Sequence, residues 1–324
     1  MLSRVANSVY WMCRYIERAE NVARFISVNL NLLLDIPIET NLQWAPMIAI
    51  TGDKKLYENK YPDYSQENVV RFLTLDREYS NSIISCLWAA RENARSVREI
   101  ISTEMWEQLN RFYIELNDAE HSGFATNDPH KFFLMVKMRG HMFSGLMYST
   151  MSHGEAWHFA RMGMMMERAD KVSRILDVKY FMLLPTSDYI GSPYDNIQWA
   201  AVLKSASAHD MYRKRYHRIS PTNVADFLIF DAEFPRSIRH CLSSALESLH
   251  KITGSPFGTA SNSGEKHMGR LVAELNYSDI EDVLDQGIHE YLDSFQTKLN
   301  YIGGEISATF FKLLPADDKE SSQQ

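Results

Sequence analysis

The chain has 324 residues, of which 45% are hydrophobic and 23% are charged, a composition typical of globular proteins and unlike that of disordered or collagen-like chains. Its 34 Lys and Arg against 41 Asp and Glu leave a net charge of −7, which argues against a general nucleic-acid binder. Three cysteines without a CxxC pair indicate a reducing compartment, and no apolar run reaches the roughly 18 residues of a membrane span. We therefore expect a soluble, cytoplasmic protein of bacterial type.

The first predicted helix runs from about Tyr10 and carries a polar stripe opposite its apolar one. Apolar residues recur at steps of three and four along one face, namely Trp11, Tyr15, Ala19, Val22 and Ile26. Glu17, Glu20 and Arg24 share a second face. Two interpretations of this polar stripe stay open: a Glu20–Arg24 salt bridge on a solvated face, or the lining of a cleft.

A second charged stripe lies in RENARSVREIISTEMWEQLN, residues 91–110. Glu92, Arg95 and Glu99 face one way on the predicted helix, and Arg98 flanks them. Planar guanidinium groups suit carboxylate or phosphate ligands, but the same side chains also suit a structural ion-pair network. The sequence leaves both alternatives open.

The helix predicted around ERADKVSRIL, residues 167–176, is apolar on nearly all sides and is therefore expected to be buried. It repeats the first polar stripe as Glu167, Asp170 and Arg174. The same two interpretations apply to this stripe, although charges on a buried helix must be paired.

Helix starts are predicted at Ser65, at Ser220 and, within the segment FPRS at residues 234–237, at Pro235. The free N–H groups of a helix start attract anions, and Arg236 adds a positive charge to the last of these starts. An ordinary helix cap is the alternative there. Residues 37–64 are predicted to interrupt the helices.

The chain matches itself when it is shifted by 155 positions. Residues 44–87 and 199–242 then share 15 identical residues in 44 aligned positions, and ERAENVARFI aligns with ERADKVSRIL at a shift of 150. The change in shift coincides with an additional loop at residues 185–195. We predict an all-α helical bundle of two tandem copies, about 1–143 and 144–315, packed as one domain over 1–315 with a flexible tail at 316–324.

Motifs for specific chemistry are weak. Glu155 with His158, and Glu247 with His250, have the spacing of di-iron ligands, but Arg95 occupies the repeat position of His250 and is no metal ligand. The sequence shows no Gly-rich phosphate loop and no GxSxG. We therefore assign no metal, no cofactor and no catalytic residue.

Four separated segments resemble the bacterial alpha-E domain family: MLSRVANSVYWMCRYIERAENVARF, RENARSVREIISTEMW, FPRS and the second ERAD segment. The resemblance extends over essentially the whole chain. Two departures occur, because the family's usual Gly-Arg pair is Cys13-Arg14 before ERAE and Gly163-Met164 before ERAD. The resemblance implies an all-helical fold.

The resemblance also implies a functional context. Alpha-E genes typically neighbour those of a circularly permuted ATP-grasp protein and a transglutaminase-like peptidase, and some members are fused to the ATP-grasp module. Our leading hypothesis is therefore a helical accessory or substrate-binding component of a peptide- or amide-ligation system, working with that ATP-grasp ligase and also with the peptidase. No nucleic-acid or membrane partner is expected, and oligomerisation stays open.

The candidate ligand-binding cleft, in which arginines would hold a carboxylate or phosphate, combines the charged stripes: Glu17, Glu20, Arg24, Glu92, Arg95, Arg98, Glu167, Asp170, Arg174 and Arg236. The alternative hypothesis is a stand-alone enzyme for a peptide-like or carboxylate substrate. In that case Glu17 or Glu167 would act as general acid or base in a desolvated cleft.

Overall fold

A computed structural model describes residues 1–35, 41–182 and 193–312, and every regular element in these ranges is helical. The predicted tail at 316–324 and most of the predicted loop at 185–195 lie outside the described residues. The helices are α1 (Ser3–Asp35), α2 (Asn41–Thr51), α3 (Lys54–Glu58), α4 (Gln66–Thr74), α5 (Ile83–Ser96), α6 (Thr103–His121), α7 (Phe124–Asn127), α8 (Pro129–Thr150), α9 (Glu155–Met182), α10 (Pro193–Ser205), α11 (His209–Tyr216), α12 (Pro221–Phe230), α13 (Ile238–Thr253), α14 (Ser263–Tyr277), α15 (Ile280–Gln286) and α16 (Ile288–Ile306), followed by a π-helical turn (Ser307–Phe311).

The helix starts follow from local capping chemistry. Ser65 and Ser220 cap α4 and α12 as predicted, and each side chain accepts a hydrogen bond from the backbone N–H three residues later. The predicted start at Pro235 is wrong, because Ser237 caps α13 instead. The predicted interruption at 37–64 is also wrong in its extent, since α2 and α3 lie within it.

The long helices α1 and α9 form the centre of the fold. α1 packs against α5, α8 and α9, and α9 packs in addition against α13 and α16. The two central helices approach closely at Gly163, where a Cβ atom would lie 2.4 Å from the carbonyl oxygen of Tyr10. Only glycine fits this approach, which brings the charged segments of α1 and α9 together.

Similar local contacts occur at positions 155 residues apart. The hydroxyl of Tyr57 donates to the carbonyl of Asp63 at 2.6 Å, and the hydroxyl of Tyr212 donates to the carbonyl of Arg218 at 2.9 Å. Both tyrosine side chains are buried, so each bond closes the end of a short helix against the core. None of the helices described combines the length and apolar character that a bilayer crossing needs.

Candidate functional site

Two Glu–Arg dipeptides face each other across the crossing of α1 and α9. Arg168 donates from Nε and Nη2 to the two carboxylate oxygens of Glu17, at 2.9 and 2.8 Å. Arg18 donates in the same way to the two oxygens of Glu167, at 2.7 and 2.9 Å. Each glutamate is therefore held by the arginine that follows the other one, in a reciprocal pair of bidentate bridges.

The Glu17 end of this arrangement is closed by a third guanidinium. Arg236 donates from Nη1 to Glu17 at 3.0 Å and from Nη2 to Glu20 at 2.7 Å. Glu20 also accepts from Arg24, whose other Nη donates to the hydroxyl of Ser207. Four of these side chains, those of Glu17, Glu20, Arg24 and Arg236, are buried.

The Glu167 end has a different set of partners. Arg14 donates from Nε to Glu167 at 2.9 Å, and the ammonium group of Lys171 lies 3.5 Å from its other oxygen. Asp170 accepts from Lys171 at 3.0 Å and from Nε of Arg174 at 3.0 Å. Arg14 and Arg18 are only partly buried, so this end lies closer to solvent.

These contacts form two groups, one at each end, which are joined only through the chain neighbours Glu17-Arg18 and Glu167-Arg168, and we call both groups together the ion-pair network. Its members are Arg14, Glu17, Arg18, Glu20, Arg24, Glu167, Arg168, Asp170, Lys171, Arg174 and Arg236. Within the described residues the network thus holds seven cationic side chains against four carboxylates. It carries an excess of positive charge inside a protein whose net charge is −7.

The two bridging carboxylates, those of Glu17 and Glu167, stay ionised. Burial raises the pKa of Glu17, but the guanidiniums of Arg168 and Arg236 outweigh it and hold that pKa well below its usual range. Burial likewise raises the pKa of Glu167, and Arg18, Lys171 and Arg14 bring it well below the ordinary value. Neither carboxyl group carries a proton to donate near neutral pH, and both oxygens of each one are occupied. The geometry therefore favours binding and positioning over proton transfer.

The structure places seven of the predicted cleft residues in the ion-pair network, where six are buried and the side chain of Arg174 is 21% exposed. The Glu20–Arg24 and Asp170–Arg174 pairs exist as the i,i+4 spacing predicts, yet they lie on buried rather than solvated helix faces. Arg236 does not stand at the outward N–H groups of a helix start. It points inward onto Glu17 and Glu20, because α13 begins two residues later than Arg236.

The other three predicted cleft residues lie apart from the network, near the end of α5. Arg95 is 66% exposed and pairs with Glu92 at 2.7 Å. Arg98 places its guanidinium over the ring of Trp106, 4.9 Å from the centroid. No hydrogen bond or ion pair among the described residues joins this cluster to the network.

Four network members, Arg14, Arg18, Arg168 and Lys171, were missed by the sequence reasoning. Arg18 and Arg168 had a usable signal, because each directly follows a glutamate and they align with each other at the shift of 150. Stripe reasoning passed over them because it joined residues three and four apart on one helix face.

A cavity of about 400 Å³ adjoins the Glu167 end of the network. It is lined by Tyr10, Trp11, Arg14 and Arg18 of α1, Met166 and Asp170 of α9, Leu299, Asn300, Gly303 and Gly304 of α16, and Phe311 of the π-helical turn. Its volume lies within the range of small-molecule sites, and its walls combine aromatic rings with charged groups.

Other candidate chemistry finds no support in the geometry. Among residues 1–35, 41–182 and 193–312, no three His, Cys, Asp or Glu side chains cluster closely enough to hold a metal ion. All three cysteines are buried, and burial raises the pKa of Cys86 and of Cys241 to about 12. These thiols stay protonated and are poor nucleophiles.

Comparison with known families assigns the chain. The model of the Alpha-E family, described as a predicted alpha-helical domain with a conserved ER motif, matches residues 1–311. The chain belongs to the Alpha-E family. The Alpha-E sequence contains the ER dipeptide twice, at Glu17-Arg18 and Glu167-Arg168, and these are the residues that form the reciprocal bridges.

The curated relatives of this Alpha-E chain carry no functional description. Uncharacterised proteins of Mycobacterium bovis and of two strains of Mycobacterium tuberculosis are each 22% identical to it over 336 aligned positions. The match includes 94% of this chain but only 36% of each relative, so the Alpha-E chain spans about a third of their length. No solved structure matches it.

Proposed function

We propose that this Alpha-E chain is a helical substrate-binding component that works with a circularly permuted ATP-grasp ligase in a peptide- or amide-ligation system. The observation that carries the binding role is the state of Glu17 and Glu167. Both are held as carboxylates by arginines on both oxygens, which suits a rigid charged scaffold and not a general acid or base. The network's surplus of cations would then attract an anionic ligand.

The partnership rests on family resemblance, and the relatives are consistent with it. Each mycobacterial relative extends far beyond the region that aligns with this chain, which leaves room for a further module in the same polypeptide. Chains that occur fused in some organisms and separate in others are good candidates for a physical complex. The transglutaminase-like peptidase would be a further member of the same system.

The internal duplication belongs to the same proposal. The reciprocal Glu17–Arg168 and Glu167–Arg18 bridges, and the matched bonds of Tyr57 and Tyr212, support two copies of one unit. In this proposal each copy forms ion pairs with the other, so that the two copies pack as one domain over about 1–315. The binding site lies where the two copies meet. The cytoplasm, where ATP is supplied, is the compartment that this role requires.

The test is co-elution of this chain with the ATP-grasp protein of a neighbouring gene on a sizing column. We expect one peak that contains both proteins, and ATP-dependent amide formation by the mixture but by neither protein alone. Each chain alone at the same concentration is the control. Separate elution at concentrations well above micromolar, with nucleotide present, would contradict the partnership.

A further inference from the structure

The cavity beside the Glu167 end of the network combines three properties that define a ligand chemistry. One wall carries the guanidiniums of Arg14 and Arg18, another is aromatic, and a third is made of two glycines on α16. We propose that this cavity binds the carboxylate of a ligand with an apolar body, with the carboxylate on the free Nη2 of Arg14, near the charge of Arg18, and the body against Trp11 and Phe311. This inference rests on the proposed function, for which it names the substrate class.

Arg14 has hydrogen-bonding capacity left for a ligand. Its Nε donates to Glu167 at 2.9 Å and its Nη1 donates to the hydroxyl of Tyr10 at 3.2 Å. Its Nη2 has no hydrogen-bond partner among the described residues. The guanidinium also lies over the Trp11 ring, 4.8 Å from the centroid, which fixes its plane. A fixed guanidinium with a free donor edge suits a carboxylate.

The charge balance around the cavity favours an anion. The two carboxylates at this end, Glu167 and Asp170, are both engaged by cations of the protein. Among the residues that line the cavity, Arg14 and Arg18 outnumber Asp170, so an incoming carboxylate meets a net positive charge.

The aromatic side of the cavity argues for an organic acid over an inorganic anion. Tyr10, Trp11 and Phe311 line the cavity, and the rings of Tyr10 and Phe311 lie 5.2 Å apart. A phosphate or sulfate ion would leave these apolar surfaces unused, whereas an apolar body would be desolvated against them. The shared chemistry is a carboxylate beside an apolar group, which occurs both in small organic acids and at the C-terminus of a peptide.

The two glycines make the cavity testable by filling it. A Cβ atom added at Gly303 or at Gly304 would meet no atom within 4 Å, so a larger side chain there has space to occupy. Glycine also disfavours a helix, and both residues lie inside α16, so a substitution would not weaken the fold. Gly269 in α14 has the same open surroundings away from the cavity and is the matched control.

The experiment is calorimetric titration of the purified full chain with N-acetyl-phenylalanine and, separately, with N-acetyl-phenylalanine amide, which lacks the carboxylate. We expect the acid to bind at least about tenfold more tightly than the amide, since a lost charged hydrogen bond costs that much or more. Gly304→Leu should abolish binding of the acid with an unchanged or raised thermal midpoint. Gly269→Leu should bind like the wild type.

Further arms separate the sources of the carboxylate. Tighter binding of Ala-Ala-Phe with a free C-terminus than of N-acetyl-phenylalanine would assign the site to peptide ends, and the reverse order to small acids. Equal binding of acid and amide, tighter binding of inorganic phosphate, no binding at all, or unchanged binding by Gly304→Leu would each overturn the inference. Because the titration uses this chain alone, its failure is distinct from failure of the co-elution with the ATP-grasp protein.

Discussion

The two ends of the ion-pair network each contain a bidentate Glu–Arg bridge, and they differ in the residues that surround this bridge. At both ends an arginine from the opposite central helix grips a glutamate with two hydrogen bonds. At the Glu17 end the additional cation is Arg236, which is buried and donates hydrogen bonds to two carboxylates. At the Glu167 end the corresponding charge comes from Arg14, which borders an open cavity.

The difference between the two ends coincides with a difference between positions 14 and 164, which align at the shift of 150. Position 164 carries Met164, which is buried. Arg14 donates to Glu167, whereas the side chain of Met164 has no hydrogen to donate, so Glu17 lacks a matching partner from that position. Arg236 supplies that charge from a different segment. The Glu17 end is thus closed and buried, while the Glu167 end has an arginine beside a cavity and is suited to a ligand.

The largest expected effect comes from neutralising the glutamates at the two ends. Glu17→Gln leaves Arg168 and Arg236 buried without a full counter-charge, and we expect a loss of about 3–5 kcal/mol in the free energy of unfolding. Glu167→Gln should cost less, about 2–3 kcal/mol, because water in the adjacent cavity can solvate Arg14 and Arg18. Urea unfolding at pH 7, followed by circular dichroism, measures both values. Equal losses would contradict the distinction between a closed and an open end.

The pH dependence of the free energy of unfolding is the control that distinguishes the loss of a charge from a packing defect. The pKa values of Glu17 and Glu167 are lowered in the folded protein, so the unfolded chain binds more protons in acid. Their stabilisation is complete above the ordinary glutamate pKa of about 4.3 and is lost as the pH falls below it toward the folded-state values. The wild type should therefore lose stability from about pH 5 downward, and Glu17→Gln should lose less over the same interval. Parallel pH profiles would indicate a packing defect instead.

Much of the fold could be predicted from the sequence because its signals are local. Periodicity alone indicated helices, and the Glu20–Arg24 and Asp170–Arg174 pairs follow from i,i+4 spacing. The Glu17–Arg168 bridge spans 151 residues and depends on where α1 and α9 cross. That crossing point is set by the close approach at Gly163, which no helical periodicity reveals.

The candidate site was harder to predict than the fold, because it depends even more on contacts between distant segments. Arg236 was recognised as a candidate, but its role was wrong because the cap lies at Ser237 and the preceding turn directs the guanidinium inward. Arg14 was named only beside Cys13 and not as a site residue, although it lies three residues before Glu17 and so fits the spacing of the polar stripe. The cavity is assembled from α1, α9 and α16, and the contact of three distant segments leaves no pattern in any one of them.

Replacing each end's additional arginine sharpens the comparison further. Arg236→Met removes hydrogen bonds to both Glu17 and Glu20 in a buried setting, and we expect a loss of about 2–3 kcal/mol. Arg14→Met introduces the residue found at position 164, leaves Glu167 with the bidentate Arg18, and should cost about 1 kcal/mol. Arg14→Met should instead weaken the binding of N-acetyl-phenylalanine about tenfold or more. Arg236→Met should keep the Kd for this ligand within about twofold of the wild-type value. Weaker binding by Arg236→Met, with binding by Arg14→Met unchanged, would place the ligand at the Glu17 end and contradict the proposed site.

The smallest effect is expected at the cluster that lies apart from the network. Arg95 is 66% exposed and its pair with Glu92 is an i,i+3 surface contact, so Arg95→Ala should change the free energy of unfolding by about 0.5 kcal/mol or less. Arg98→Ala should cost slightly more, up to about 1 kcal/mol, because its guanidinium lies over Trp106. Both variants should bind N-acetyl-phenylalanine like the wild type, since neither side chain lines the cavity. Loss of ligand binding in Arg95→Ala, with stability intact, would move the anion site from the network to the end of α5.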